Sequence, residues 1–335
     1  MRSSGDGFSP AFWLPGAHAQ TVWGRLARGR RMVSLRREIL STPDSDELVV
    51  DHLDGPPGSP RVVLLHGLEG SSNSVYVQGF LGGIRSRGWR GVALNFRSCA
   101  RDPAELDRHL TNRRPRLYHS GETSDFDFLV RTLSQREPDA PLLAIGVSLG
   151  GNVLLKWRGE NPAGGGVVAA AAVPTPYDLA ASARHLESFV GRVYTARFLS
   201  TLRRKAVDAA RRFPEAAAAM DLRRTLAART FREFDDAATA PLHGFAGADD
   251  YYRRSSSLLY LPSIAAPTLC LSAEDDPFLP RETLSRARNA ATASVEFRVT
   301  NHGGHIGWVS GHAPWRARYW AEQEVLDWLG KFVAK

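Results

Sequence analysis

Gly146-Val147-Ser148-Leu149-Gly150 sets a serine between two glycines, directly after an apolar run (142–147) and directly before a helix-forming stretch (151–157). The glycines permit the strained strand-to-helix turn that lifts a serine hydroxyl above a sheet. The helix N-terminus behind it supplies partial positive charge to a developing oxyanion. The same pentapeptide also describes an ordinary Ser-Gly turn, so its partners decide. A serine hydroxyl is a poor nucleophile until a base takes its proton and a carboxylate orients that base. For a serine on this kind of turn, the chain order is serine, acid, histidine.

Both partners have candidates in that order. An apolar strand ending at Ser272 runs into Ala273-Glu274-Asp275-Asp276-Pro277-Phe278-Leu279-Pro280. That places acids at the C-terminal end of a strand, where doubly wound sheets keep their sites. Asp276 is preferred to Asp275, because adjacent side chains on an extended strand end face opposite ways and Pro277 holds the residue before it extended. Asp275 is then a loop, capping or second acceptor residue. One helix and strand later comes Asn301-His302-Gly303-Gly304-His305-Ile306-Gly307-Trp308. His305 is preferred to His302 as the base, because the two glycines before it allow a tight turn toward Ser148. His66, at the end of the strand 62–65, reads as a residue that positions the following loop. His18, His52, His109, His119, His185, His243 and His312 lie outside strand-end loops of the required order and read as structural or exposed. The oxyanion donors are expected to be the backbone N–H groups of Leu68, in the loop His66-Gly67-Leu68-Glu69-Gly70-Ser71-Ser72, and of Leu149. Without that role the loop is an ordinary Gly-rich turn.

These residues need a frame. Continuous apolar runs at 61–66, 91–96, 142–147 and 167–173 read as strands buried on both faces of a parallel sheet, with helices at about 74–87, 121–135 and 149–160 between them. Segments 34–40 and 47–53 alternate apolar with polar, as partly exposed antiparallel strands do. The class is therefore α/β. The rhythm stops after Pro174-Thr175-Pro176. From 177 to about 262 the chain is rich in Ala, Arg and Leu and helical, and strands return at 267–272 and 295–299. A final helix is expected over about 314–332. The helical block, 175–262, is read as a lid inserted into one domain that spans 1–335.

The chain has 335 residues, 43% apolar and 23% charged, the balance of a soluble globular protein whose core needs no disulfide or metal. Two cysteines, Cys99 and Cys270, exclude a disulfide framework and a Cys-based zinc site. No apolar stretch of 7–15 residues follows the first six residues, so no secretory signal is expected. No run of about 18 apolar residues occurs, so no membrane-spanning helix is expected either. The expected address is the cytoplasm. There is no phosphate-binding loop, no H-E-x-x-H, no C-x-x-C and no dinucleotide-binding glycine motif. No metal and no cofactor are expected. The formal charge is +8, and between Arg184 and Arg232 twelve Arg/Lys face four acids, an excess equal to the charge of the whole chain. That segment reads as a solvated helix face, or as one that attracts anionic substrates or lipid headgroups. Nucleic acid is not an expected partner, since no aromatic interleaving or binding motif accompanies the charge. Peripheral contact with a membrane surface stays open, and nothing in the sequence sets an oligomeric state.

In combination, several motifs resemble the YheT-like branch of α/β hydrolases: Leu14-Pro15-Gly16-Ala17-His18-Ala19-Gln20-Thr21, the loop 66–72, Asn95-Phe96-Arg97-Ser98-Cys99, Tyr118-His119-Ser120-Gly121-Glu122-Thr123, the serine turn continued by Gly151-Asn152, Asp275-Asp276-Pro277-Phe278 and His302–Gly307 taken whole. The similarity runs nearly the full length. Ser98 stands where the branch usually has Gly, and the membrane anchor of eukaryotic members has no counterpart. The resemblance implies an α/β-hydrolase fold with a mostly parallel sheet. It also implies a Ser148–Asp276–His305 hydrolase acting on small-molecule esters of short- to medium-chain acids. The spacing from Asp276 to Pro280 is also similar to the acid loop of many such hydrolases. The same residues would serve an acyltransferase or thioesterase, and a catalytically inactive binding protein is the alternative from another class. Tyr177, Phe189, Tyr194, Phe198, Phe8, Phe12 and Trp13 are candidates to line an acyl pocket, or else core.

Overall fold

Strands that are apolar at every position must find helices on both sides, and here they do. The computed structural model describes residues 7–29, 33–106 and 108–333; the opening six residues, which bear on the signal-peptide expectation, lie outside them. Eight strands form one sheet: β1 (Arg36–Ser41), β2 (Glu47–Leu53), β3 (Arg61–Leu65), β4 (Arg90–Asn95), β5 (Leu142–Val147), β6 (Val167–Val173), β7 (Thr268–Ala273) and β8 (Val295–Thr300). Their spatial order is β1-β2-β4-β3-β5-β6-β7-β8. β1 and β2 form the antiparallel edge, and every pair from β4 to β8 is parallel.

Alternate residues of one strand serve opposite cores. Val62 and Leu64 of β3 face α2 (Val75–Ser86) and the last helix (Trp320–Gly330) through Phe80, Leu81, Ile84, Val325 and Leu326. Val63 and Leu65 face α3 (Ser124–Arg136) and α4 (Leu149–Glu160) through Phe126, Leu129, Val153 and Trp157. Each such aliphatic side chain contributes about 1.5–3 kcal/mol by leaving water. Register then sets the site. Leu65 stands beside Gly146, so the loops after β3 and β5 leave the sheet side by side, and the loops after β7 and β8 leave from the same end.

Between β6 and β7 lie α5 (Leu179–His185), α6 (Phe189–Arg212), α7 (Pro214–Ala219), α8 (Leu222–Ala227), α9 (Phe231–Phe234), α10 (Ala240–Leu242) and α11 (Ala248–Ser255), with one widened π turn over Asp235–Thr239. Their own core is small-residue packing, Ala206, Ala209, Ala216, Ala228 and Ala238 around Leu199 and Phe234. Two helical elements differ from the sequence reading. A first helix, α1 (Ala17–Ala27), precedes the sheet. The last helix begins at Trp320, not near 314: Ala313 is extended before Pro314, as the proline ring requires, and Arg318–Tyr319 pairs with Val309–Ser310 as a two-stranded ribbon. Among the described residues no helix is long and apolar enough to cross a membrane.

Candidate active site

Ser148 carries its hydroxyl on a backbone at φ 55°, ψ −117°, a region that a non-glycine residue enters only when its surroundings impose it. The surroundings are the crossing of β5, α4 and the loop after β3. A Cβ on Gly150 would stand 2.4 Å from the Leu65 carbonyl, so the second glycine of the motif is required by close approach. Ser148 N–H is held by the Val173 carbonyl at 2.8 Å.

His305 lies between Ser148 and Asp276. Its Nε2 is 2.9 Å from Ser148 Oγ, and its Nδ1 is 2.8 Å from Asp276 Oδ2. A carboxylate only accepts, so Nδ1 carries the proton and Nε2 is left to accept from the serine. His305 and Asp276 are both buried, and the Phe278 ring stacks on the imidazole at 4.3 Å. The other Asp276 oxygen accepts the Phe278 N–H at 2.8 Å. Asp275 goes elsewhere: Oδ1 accepts the Gly304 N–H at 2.9 Å and Oδ2 is 3.3 Å from His302 Nδ1. The two aspartates do diverge, but on a turn closed by Asp276 N–H to the Ala273 carbonyl instead of an extended strand end. His302 is largely exposed and stays away from Ser148. Gly304, at φ 59°, turns the chain where a side chain would strike the Ala17 carbonyl.

The loop after β3 is pinned on both sides of Leu68. Gly67 N–H donates to Tyr76 Oη at 2.8 Å and Glu69 N–H to Tyr118 Oη at 2.7 Å. Among the described residues neither the Leu68 nor the Leu149 N–H has a protein partner. His66 fixes the start of the loop: Nδ1–H donates to the Gly67 carbonyl at 2.7 Å and Nε2 accepts the Phe96 N–H at 3.1 Å. Both partners demand the neutral ring, and burial lowers its pKa to about 4. Glu69 adopts φ 57° and sends its carboxylate inward, where Oε1 accepts from Tyr118 Oη at 2.7 Å and from Lys205 Nζ at 2.7 Å. Lys205 belongs to α6, so this buried ion pair ties the helical block to the loop beside Leu68. Ser98 also has a left-handed backbone, φ 60°, and Asn112 Oδ1 holds its N–H at 2.5 Å.

Two residues of the segment 14–21 have supporting roles that the sequence reading does not assign. Thr21 Oγ1, on α1, accepts the His305 N–H at 2.9 Å. Gln20 accepts the Val309 N–H at 2.7 Å and returns a bond to the Val309 carbonyl at 3.1 Å. A helix signal was present in apolar residues at 19, 22, 23 and 26. Ser148 and His305 open onto a cavity of about 860 Å³. Of the seven aromatics that were candidates for lining or core, Tyr194 and Phe198 line it. Phe12 and Phe189 point to solvent, Phe8 packs on Trp320 and Trp13 on Trp23, and Tyr177 is core with its hydroxyl 3.2 Å from Ser272 Oγ. The remaining lining includes Phe231, Phe234, Phe278 and Tyr252. The basic segment divides: Arg197 lines the cavity, Lys205 is buried and Arg232 pairs with Asp249. Burial, then the charges of Arg197 and Arg101, lower the pKa of Arg25 on the same wall.

Burial holds the imidazoles of His66 and His119 down to about 4, and it holds His243 well below its usual 6.5. An unfolded chain takes up these protons near pH 6.5 and the folded one does not. Their contribution is therefore full above pH 6.5 and is lost as pH falls toward 4. At about 1.4 kcal/mol per unit, His66 alone accounts for about 3 kcal/mol. The melting temperature is expected to fall steeply from pH 6.5 to 4.5; a flat profile over that range contradicts the neutral buried rings.

The chain matches the model of the alpha/beta hydrolase fold family over residues 60–311. It is 35% identical over 334 residues to YheT of Escherichia coli (strain K12), which carries a provisional esterase designation, covering 99% of this chain and 95% of that one. It is 29% identical to phospholipase ABHD3 of Mus musculus, over 93% of this chain and 75% of that one. Among solved structures, the Pyrococcus furiosus esterase Pf2001 superposes with a TM-score of 0.58 at 16% identity, over 90% of this chain and 92% of that one.

Proposed function

Because the chain belongs to the α/β hydrolases, in their YheT-like branch, we propose that it hydrolyses carboxylic esters of short- and medium-chain acids with Ser148 as nucleophile, His305 as base and Asp276 as its orienting carboxylate. One observation carries the reading: His305 bridges Ser148 Oγ and a buried aspartate at the wall of a large cavity. In this reading Ser148 Oγ bonds to the acyl carbon while its proton passes to His305 Nε2. The imidazolium that forms lies against the Asp276 carboxylate. The carbonyl oxygen becomes an oxyanion held by the unpartnered N–H groups of Leu68 and Leu149, at the start of α4 where the helix dipole adds to them. Collapse breaks the ester bond, and the departing alcohol takes the proton from Nε2. A water then attacks the acyl-enzyme, again giving its proton to His305, and the acid leaves with Ser148 restored.

A cavity of about 860 Å³ is within the ~300–1,000 Å³ of small-molecule sites and, with its aliphatic and aromatic walls, suits an acyl chain. The helical block 175–262, within one domain over 1–335, serves in this reading as a lid that supplies much of that wall. The two buried free thiols, Cys99 and Cys270, accord with the reducing cytoplasm. A fluorophosphonate probe is expected to label the wild-type protein at Ser148 and not Ser148→Ala, and nitrophenyl esters of short and medium acids are expected to be hydrolysed. A folded wild-type protein that takes no label contradicts the assignment.

A further inference from the structure

The cavity wall carries two acids, Glu69 and Asp235. Glu69 is matched by Lys205. Asp235 is matched by no cation among the described residues: its neighbour Arg232 pairs with Asp249 instead. Asp235 opens the π turn, a widening of the helix that often marks a functional position. The next residue, Asp236, has a structural task, accepting the Ala248 N–H at 2.6 Å, and Thr230 caps α9. Neither task falls to Asp235.

Asp235 is partly exposed and stands among the residues that line the cavity. Oδ2 accepts the Tyr252 hydroxyl at 2.7 Å. A carboxylate offers about four acceptor positions, so this bond leaves capacity unused. Burial raises the carboxyl to about 6, against hydrogen bonds from Thr239 and Tyr252, so its surroundings penalise the charge. Phe231, Phe234 and Tyr251 share the wall. A plain alkyl chain laid here would cover a carboxylate and return nothing to it.

We propose that Asp235 determines specificity by accepting a hydrogen bond from a hydroxyl or ammonium group that the substrate carries away from its scissile carbonyl. The preferred esters are then polar at that end. The proposal rests on Ser148 and His305 marking the reacting end of the same cavity.

The test uses matched nitrophenyl and alkyl esters whose acyl or alcohol tail ends in methyl, hydroxyl or ammonium. A hydrogen bond to a charged group is worth about 1.5–3 kcal/mol, so the wild-type kcat/KM for one polar tail is expected to exceed the methyl tail about ten- to a hundredfold. The preferred tail shows which donor is recognised. Asp235→Leu, similar in size and without an acceptor, is expected to abolish that ratio. Tyr252→Phe, which removes the internal partner and keeps the carboxylate, is expected to retain it. A wild-type enzyme that favours the methyl tail, or an Asp235→Leu protein with the wild-type ratio, overturns the proposal. Calorimetric binding of the same esters to Ser148→Ala, with and without Asp235→Leu, tests recognition without turnover. A tail preference there in an enzyme that hydrolyses nothing would sink the hydrolase reading and leave this one standing.

Discussion

Ser148→Ala is expected to lower kcat/KM for esters by roughly 10⁴- to 10⁶-fold, the loss seen when a serine nucleophile is removed from a unit that acts as a whole. The fold should not notice. Ser148 Oγ bonds to His305, and an alanine bears the same backbone strain at φ 55° as the serine does. The melting temperature is expected to stay within a few degrees of wild type. The residual rate should come from the Leu68 and Leu149 amides and from binding alone. Ester turnover within tenfold of wild type, in protein that melts normally, would remove Ser148 from the mechanism.

The second large effect separates two adjacent carboxylates. In Asp276→Asn the amide can offer its N–H₂ to His305 Nδ1, which moves the ring proton to Nε2 and leaves nothing to accept the serine proton. A loss of roughly 10³- to 10⁴-fold in kcat is expected. Asp275→Asn keeps an oxygen for the Gly304 N–H and disturbs only the exposed His302, so a loss under about tenfold is expected. Steady-state kinetics on both folded variants decide the matter. If Asp275→Asn is the more damaging, the orienting role belongs one residue earlier.

The candidate reacting groups were legible because each sits where a short local pattern ends. An apolar run into Gly-x-Ser-x-Gly, another into Asp-Asp-Pro and a third into His-Gly-Gly-His fix the strand ends, and a parallel sheet brings such ends together at one rim. Of the two adjacent aspartates it is Asp276 that meets His305 Nδ1, on a turn where an extended strand end was expected. What holds the groups was not legible. Thr21 meets His305 across 284 residues, and no spacing rule encodes such a contact. The aromatics illustrate a second limit. Composition shows that Phe189 and Phe198 lie on one helical stretch, but only the packing of α6 turns Phe198 inward and leaves Phe189 in water. The π turn at Asp235 has no sequence signature, since it arises where one helical segment must be fitted to the next.

The Lys205–Glu69 bond bears on how such a protein can be recombined. A helical block inserted between two strands invites exchange: relatives could trade it whole and acquire a new acyl preference with the hydrolytic rim intact. Here the insert contributes a buried cation to a carboxylate of the host, 136 residues away. A transplanted block without a lysine at that place would leave the buried Glu69 carboxylate without its cation, a defect of about 3–5 kcal/mol, in the very loop that carries the Leu68 amide. The block and the loop are thus coupled through one buried pair, and a chimaera cut at 175 and 262 must carry both ends of it.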